Sequence, residues 1–235
     1  MPSKNIIKIY VQDGIYHIYN RGIEKRNIFL DEQDYKIFLY FLKRYLLSPD
    51  EFDEVPPHQQ TRQELSPNYI RPNQWQTDLY KKIQLWCHCL MPNHFHLLLK
   101  QFTEKAIIEF MRRLINSYTR YFNEKYKRIG ALFQGSYKAV LVENEFYLIH
   151  LSRYIHANPR ELFKNIQGFR KYSYSSYLDY LGDRHTKWVY PEEILSYFEK
   201  QKGDLGSDEF SSYENFVETY NKNKEHKVLG NLTLE

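Results

Sequence analysis

The sequence predicts an α+β fold built around one antiparallel β-sheet. Four short segments are rich in β-branched and aromatic residues, and segments with helical periodicity alternate with them. The elements follow in the order β-α-β-β-α-β, which is the split, ferredoxin-like arrangement. We therefore expect helices on one face of the sheet and a free opposite face, followed by a further helix and a C-terminal extension.

The first strand and the first helix come early in the chain. The segment Ile15–Asn20 has the composition of a strand and ends at Arg21-Gly22. Asp31 is a helix N-cap, because apolar residues recur after it at helical spacing from Tyr35 to Leu46. The helix should end near Ser48-Pro49.

Residues 48–80 have a different composition from the segments around them. Five of the nine prolines lie here among Gln, Asn and acidic residues, and the segment shows little periodicity. The sequence indicates a long insertion between core elements and not a separate domain.

A hairpin should follow the insertion. Alternation from Ile83 to Leu90 predicts the second strand, Met91-Pro92-Asn93 the turn, and His94 the start of the third strand. Side chains of a strand point alternately to its two faces. The residues expected to face the helices are Ile83, Leu85, Cys87, Cys89, Phe95, Leu97 and Leu99. Those expected on the open face are Trp86, His88, His94 and His96.

The second half of the chain supplies the remaining elements. A helix is predicted from Lys105 to Tyr126, with Gly130 preventing its continuation. A fourth strand covers Gln134–Val142, and a helix runs from Glu143 to His156 before Pro159. We expect a domain over residues 1–162 and an extension over residues 163–235 that packs partly on it.

Composition limits the possible functions. The chain has 235 residues and a net charge of +4, and basic residues outnumber acidic ones between Thr103 and Val140. This permits a polyanionic partner without requiring one. The sequence shows no secretory signal and no apolar run near the ~20 residues that span a bilayer, so a reducing cytoplasm is expected and no membrane partner.

His94 and His96 form a histidine–hydrophobic–histidine triplet with Phe95. Strand alternation places the two imidazoles on one face, about 7 Å apart at their Cα atoms, where they can share a metal ion. Two polar residues on a solvated face would show the same pattern. A structural zinc site that adds Cys87 and Cys89 is a rival interpretation, although the Cys-x-Cys spacing is unusual for zinc.

Four blocks in order give the triplet a context. They are Tyr16-His17-Ile18-Tyr19-Asn20-Arg21-Gly22, Met91-Pro92-Asn93-His94-Phe95-His96-Leu97-Leu98, Leu132-Phe133-Gln134-Gly135-Ser136-Tyr137-Lys138 and Arg153-Tyr154-Ile155-His156-Ala157-Asn158-Pro159. The set resembles the single-tyrosine transposases of the HUH superfamily, in particular the REP-associated tyrosine transposases. The similarity covers about residues 10–182, including Tyr174–Gly182 downstream.

The resemblance implies a nuclease that cuts and rejoins single-stranded DNA flanking a hairpin, through a 5′-phosphotyrosyl intermediate. Tyr154 matches the family's nucleophile, and His94 and His96 match its metal ligands. Asn158 occupies the position from which a polar side chain completes the site, and the metal would be Mg²⁺ or Mn²⁺. Such a protein would be associated with the nucleoid, and some relatives are homodimers.

Several further residues are candidates for contacts with nucleic acid. Cations and an aromatic side chain can hold a single strand by phosphate contacts and base stacking. The candidate DNA-binding residues are Arg21, Trp86, Arg113, Arg120, Lys127, Arg128 and Lys138. His88 is a candidate to support the metal ligands from behind. The segments Tyr172–Gly182 and Trp188–Pro191 could contact the hairpin or form a packed cap over the sheet.

Two other functions are compatible with the sequence. A domesticated relative could bind structured DNA or RNA without cutting it. A metal-dependent hydrolase could use a bound water as its nucleophile and form no tyrosyl intermediate.

Overall fold

The computed structural model describes residues 9–51, 78–201, 211–220 and 228–229. The strands within them are β1 (Ile15–Arg21), β2 (Ile83–Met91), β3 (His94–Gln101) and β4 (Lys138–Leu141). The α-helices are α1 (Glu32–Leu46), α2 (Ala106–Lys125), α3 (Glu145–Ala157), α4 (Ile166–Arg170), α5 (Tyr177–Tyr180), α6 (Glu192–Gln201) and α7 (Tyr213–Glu218). Of the insertion at 48–80, residues 52–77 lie outside this description.

The four strands form one antiparallel sheet in the order β2-β3-β1-β4. With α1 and α2 as the crossovers, this confirms the predicted ferredoxin-like fold. β4 is shorter than the predicted Gln134–Val142 strand. Gly135 has a φ of 71°, a left-handed conformation that interrupts an extended strand, so the chain before Lys138 is a loop.

The pairing of β1 with β3 decides which side chains share a face. Arg21 lies opposite His94, Tyr19 opposite His96 and His17 opposite Leu98. Directly opposed residues of an antiparallel pair point to the same side of the sheet. We call this side, which carries His17, His94 and His96, the histidine face.

A β-bulge at Trp86 changes the faces of the second strand. Leu85 pairs with Leu99, but Cys87 pairs with Leu98, so two steps along β2 correspond to one step along β3. Beyond the bulge every side chain of β2 is on the face opposite to the one that simple alternation predicts. The prediction for Cys87, Cys89 and His88 is therefore wrong: the cysteines lie on the histidine face, and His88 lies on the other.

The face opposite the histidines carries the larger part of the core. Leu97, Leu99 and Phe95 are fully buried there against the apolar sides of α1 and α2. Aromatic rings fill the centre of this core. The ring centre of Phe38 in α1 lies 5.2 Å from that of Phe95 and 5.0 Å from that of Tyr118 in α2. Burial of this many apolar side chains explains why the sheet and these two helices form one body.

The histidine face is also largely covered, whereas the sequence predicted it to be free. α3 packs on β2 and β3, and α6 and α7 pack on α3. Their shared apolar cluster includes Leu98, Leu151, Ile155 and Phe216, all completely buried. The covering helices leave His94, Arg21 and Lys138 partly exposed at one end of this face, and Ile15, Gln84 and Lys100 partly exposed at the other. No helix within the described residues is long and apolar enough to cross a membrane.

A buried ion cluster joins α1 to α2. The Asp34 carboxylate is completely buried, and it accepts hydrogen bonds from Lys125 Nζ at 2.8 Å, Tyr121 Oη at 2.9 Å and Tyr126 Oη at 2.8 Å. Lys125 also reaches Asp31, the N-cap of α1, at 2.7 Å. A buried carboxylate is stable only when it is paired and hydrogen-bonded, so this cluster fixes the helix pair in one arrangement.

We expect Lys125→Met to lower the free energy of unfolding by about 3 kcal/mol, because it leaves the Asp34 charge buried without its cation. The matched control is Lys36→Met, which breaks an exposed i,i+4 pair with Glu32 and should cost no more than about 0.5 kcal/mol. Urea denaturation of both variants measures the difference. Equal, small effects would show that the cluster does not stabilise the fold.

Candidate active site

The turn between β2 and β3 places His94 at one end of the sheet. The Pro92 carbonyl accepts hydrogen bonds from the backbone N–H groups of Ile28 and Phe29 at 2.8 and 3.1 Å, and the Asn93 carbonyl accepts one from Gly22 at 2.8 Å. A side chain at Gly22 would meet the Arg26 carbonyl at 2.1 Å, so only glycine allows this approach. The segment after β1 therefore anchors the turn and the residue that follows it.

His94 is held by its neighbour and lies at the edge of the solvent. Its Nδ1 is 2.6 Å from Asn93 Oδ1, an atom that can only accept, so Nδ1 carries the proton. Desolvation lowers the pKa of His94 to about 4, with the Arg21 charge acting in the same direction and a hydrogen bond with Asn158 opposing it. The ring is therefore neutral at pH 7, as a metal ligand requires, and Nε2 carries the lone pair.

His96 lies deeper in the same face, next to a histidine from β1. Its Nδ1 is 2.9 Å from His17 Nε2, and both side chains are completely buried. Desolvation, with smaller contributions from His94 and His17, holds the pKa of His96 well below its usual value. Its Nε2 is buried and has no hydrogen-bond partner among the described residues.

Tyr154 comes from α3 and reaches the two inner histidines. The centre of its ring lies 5.4 Å from that of His96 and 6.2 Å from that of His17, with both pairs nearly perpendicular. The side chain is 6% exposed. α3 begins at an Asn144 N-cap. Arg153, which precedes Tyr154 in this helix, has its guanidinium over the Phe216 ring of α7 at 4.3 Å, and this contact holds α3 against α7.

Asn158 lies one helical turn after Tyr154. A residue before proline is usually excluded from the helical region, yet Asn158 has φ −49° and ψ −44°, and a 3₁₀ turn, Asn158–Leu162, continues from α3. Its Nδ2 donates to the Tyr154 carbonyl at 2.7 Å. The amide oxygen can therefore face His94, and it accepts a hydrogen bond from that ring only when His94 is protonated, which is why Asn158 raises the pKa of His94.

The structure brings together the four residues selected from the sequence: His94, His96, Tyr154 and Asn158. The two histidine rings are 5.0 Å apart. An unpartnered buried imidazole nitrogen on His96 and an available nitrogen on His94, with an amide beside them, are a donor set that suits a divalent ion. Among the described residues no group of three or more His, Cys, Asp and Glu side chains converges on a metal position, so the third protein ligand would be the amide.

The rival zinc interpretation finds no support in the positions of the thiols. Cys87 and Cys89 do lie on the histidine face, but burial raises the pKa of both thiols far above neutrality. Cys87 Sγ is 3.1 Å from the Tyr180 hydroxyl. Protonated thiols are poor zinc ligands.

The candidate DNA-binding cations are divided between two sides of the sheet. Arg21 and Lys138 lie on the histidine face, because Arg21 pairs with His94 and Lys138 pairs with Tyr19. Arg21 Nε donates to Gln134 Oε1 at 2.6 Å. The others lie along or just after α2, the helix packed on the opposite face: Arg113, Arg120, Lys127 and Arg128. Of the candidate cations, Arg21 and Lys138 are therefore the ones favoured for contact with a DNA strand at His94.

Trp86 and His88 do not have the surroundings predicted for them. Trp86 is only 2% exposed and cannot stack on a base. His88 is buried on the face away from His96, where its ring lies 5.5 Å from that of Trp188. His88 therefore cannot support the metal ligands from behind.

The segment 172–182 forms a packed cap. The Tyr172 hydroxyl donates to the Leu90 carbonyl at 2.6 Å, and the Ser176 N–H donates to the His88 carbonyl at 2.9 Å. The Tyr190 N–H likewise donates to the Leu85 carbonyl at 2.9 Å. These hydrogen bonds give the carbonyl groups of the edge strand β2 their partners, so the two segments have a structural role.

Comparison with known proteins shows a family likeness over part of the chain. Residues 66–158, less than half of the chain, match the family model described as "Transposase IS200 like". Among solved structures, the chain is similar to a REP-associated tyrosine transposase bound to a REP hairpin, with 12% sequence identity, a TM-score of 0.51, and coverage of 79% of this chain and 87% of that one. At that identity the likeness establishes the fold. No curated protein sequence matches the chain.

Two residues of the candidate site were not selected from the sequence for a role there. His17 and Asn93 each hold a ring nitrogen of a candidate metal ligand, yet they appeared only as members of matched blocks. The alternation of side chains along β1 indicates that a polar residue near the centre of the strand, His17, can share a face with His96. The register between β1 and β3 is also needed to place the two side by side, and alternation within one strand does not give that register.

We expect stability to fall as the pH drops below about 6.5, the usual pKa of an unfolded histidine. Burial, helped by the Arg184 and His156 charges, holds the pKa of His88 well below that value in the folded state. The unfolded chain then binds the extra proton, which costs about 1.4 kcal/mol per pH unit below 6.5 for one such group.

The His88→Leu variant isolates this contribution. Between pH 7 and pH 5 it should lose about 2 kcal/mol less of its free energy of unfolding than the parent chain. Chemical denaturation at both pH values provides the measurement. Identical losses in the two proteins would contradict a neutral, buried His88.

Proposed function

We propose that this chain is a metal-dependent DNA transposase that cleaves and rejoins single-stranded DNA through Tyr154. The supporting observation is the convergence of a tyrosine from α3 on two neutral histidines from β3, with the Tyr154 ring 5.4 Å from the His96 ring. Nothing in core packing requires an unpartnered imidazole nitrogen at that point. The match of residues 66–158 to the IS200-like transposase family supports this reaction.

In the proposed reaction the Tyr154 hydroxyl oxygen attacks the scissile phosphorus. A bond forms between the tyrosine oxygen and phosphorus, and the bond from phosphorus to the 3′ oxygen breaks. The tyrosine loses its proton, and the departing 3′ oxygen gains one. The phosphotyrosyl link retains the bond energy, so a 3′-hydroxyl can reverse the step and rejoin DNA without ATP.

The proposed metal ligands are His94 Nε2, His96 Nε2 and the Asn158 amide oxygen, with Mg²⁺ or Mn²⁺ as the ion. A divalent ion bound there would neutralise charge on the phosphate and polarise it. Arg21, whose charge lowers the pKa of His94, is close enough to contribute a second positive charge to an incoming phosphate. The role of Arg21 in this scheme is binding and orientation.

The proposed substrate is single-stranded DNA next to a hairpin. The structurally similar REP-associated tyrosine transposase was solved with a REP hairpin. In this chain a cleft of about 680 Å³ between α2 and the loop 131–137 reaches Asn20, whose side chain donates to the Gly135 carbonyl at 3.2 Å. Asn20 lies opposite Phe95, so this cleft is on the face away from the histidines, and Gln134 of the same loop, which accepts a hydrogen bond from Arg21, connects it with the site.

We further propose that the site works within one chain. Single-tyrosine enzymes can exchange the nucleophile helix between subunits, but here α3 packs on β2 and β3 of its own chain. Arg160 of the turn after α3 donates to the Glu218 carbonyl of α7 at 2.9 Å, which fastens the end of the helix to the extension. A second subunit is not needed to complete the set.

The Tyr154→Phe variant should lose all covalent attachment to single-stranded DNA while it still binds that DNA, because only the attacking oxygen is removed. A panel of labelled hairpins with single-stranded flanks, incubated with Mn²⁺ and run on a denaturing gel, provides the measurement. Tyr147→Phe, on the same helix, is the matched control and should keep adduct formation.

Three results would contradict the proposal. A denaturation-resistant adduct in Tyr154→Phe would exclude Tyr154 as the nucleophile. Cleavage without any adduct in the parent chain would favour a hydrolase, and binding without cleavage of any hairpin would favour a domesticated binder.

Mixing experiments test the single-chain site. His94→Ala and Tyr154→Phe should each be inactive, because each lacks one half of the centre, and a mixture of the two should remain inactive. Recovery of about a quarter to a half of the parent activity in the mixture would instead show that subunits exchange α3. Adduct yield on the same denaturing gel measures both outcomes.

A further inference from the structure

We infer that His17 is a positioning residue that sets the tautomer of His96 and so directs the His96 Nε2 lone pair toward the metal position. This inference rests on the proposed function, because it concerns the same metal site.

The contact is fixed by the backbone of the sheet. His17 Nε2 and His96 Nδ1 are 2.9 Å apart, and the rings are stacked with centres 5.1 Å apart. β1 is paired on both sides, with Leu98 opposite His17 on β3 and Val140 opposite it on β4. Both side chains are completely buried, so neither ring can turn away without leaving the core.

The two nitrogens in contact must differ in protonation. One of them donates and the other accepts, because two lone pairs or two N–H groups at 2.9 Å would repel. If His96 Nδ1 donates to His17, then His96 Nε2 carries a lone pair and can bind a metal. If the proton is on Nε2, it points into a buried position with no hydrogen-bond partner among the described residues. The first arrangement leaves no buried N–H unsatisfied.

The other candidate ligand shows the same design with a different partner. His94 Nδ1 donates to Asn93 Oδ1 at 2.6 Å, which also leaves Nε2 with the lone pair. Both histidines are therefore held at Nδ1 and available at Nε2. Metal-binding histidines usually donate their second N–H to such a partner, and loss of that partner weakens metal affinity about 10- to 100-fold.

Two variants of His17 separate positioning from packing. His17→Leu keeps a buried apolar side chain of similar size but removes the acceptor. His17→Gln restores an acceptor, because the amide oxygen can take the His96 proton. The matched control is His88→Leu, which removes another buried histidine on the opposite face of the sheet.

The first measurement is Mn²⁺ binding to the DNA-free protein, followed by the electron paramagnetic resonance signal of free Mn²⁺. We expect His17→Leu to raise the dissociation constant about 10- to 100-fold. His17→Gln should stay within about threefold of the parent, and His88→Leu should not differ from it. A parent-like constant for His17→Leu, or a loss of the same size in His88→Leu, would overturn the inference.

The second measurement needs no metal. Nitrogen-15 NMR of the histidine rings should show His96 of the parent protonated only at Nδ1, and a mixture of tautomers in His17→Leu. A proton on His96 Nε2 in the parent would overturn the inference whatever the enzyme does. Failure of the parent to form DNA adducts, with the NMR result as expected, would reject the proposed reaction and leave the tautomer assignment standing.

Discussion

The register between β1 and β3 is the constraint on which the rest of this structure depends. It places Arg21 opposite His94 and Tyr19 opposite His96, and it brings His17 within hydrogen-bonding distance of His96. A slip of one residue would turn every side chain of β1 to the other face. The histidine face would then lose Arg21 and the imidazole of His17. Backbone hydrogen bonds from the segment after β1 to the Met91-Pro92-Asn93 turn hold this register at the end of the sheet where the candidate site lies.

The covering of the histidine face gives the site two different sides. His17, His96 and Tyr154 form an inner side from which water is excluded, whereas His94, Asn158 and Arg21 are partly exposed. Charges interact more strongly where water is excluded, so a metal ion and a phosphate between these two sides would attract each other more strongly than in solution. The C-terminal helices therefore contribute to the electrostatics of the site through packing, without supplying a proposed reacting group.

The sequence predicted the fold from its periodicities, and ordered motifs selected the four residues that meet at His94. It could not predict the bulge at Trp86, because one extra residue in a strand leaves no trace in an alternating pattern. The error reversed the faces of Cys87, Cys89 and His88. The predicted fold already placed α2 on the face away from the histidines, so the cations of α2 could have been excluded from the histidine face on that prediction alone. The burial of Trp86 was missed because the histidine face was expected to be free, whereas Trp86 belongs to the apolar cluster that covers it.

Asn158 shows how local preference and tertiary packing compete at a candidate site residue. A proline at 159 disfavours helical geometry at residue 158, and the sequence predicted a helix that ends at His156. The structure keeps Asn158 helical because its side-chain amide donates to the Tyr154 carbonyl and Arg160 is tied to α7. The amide that binds the backbone of the tyrosine can also face His94. Proline thus ends the regular helix at the residue that we propose as an oxygen ligand, and the side chain that stabilises this end also lies between the tyrosine and His94.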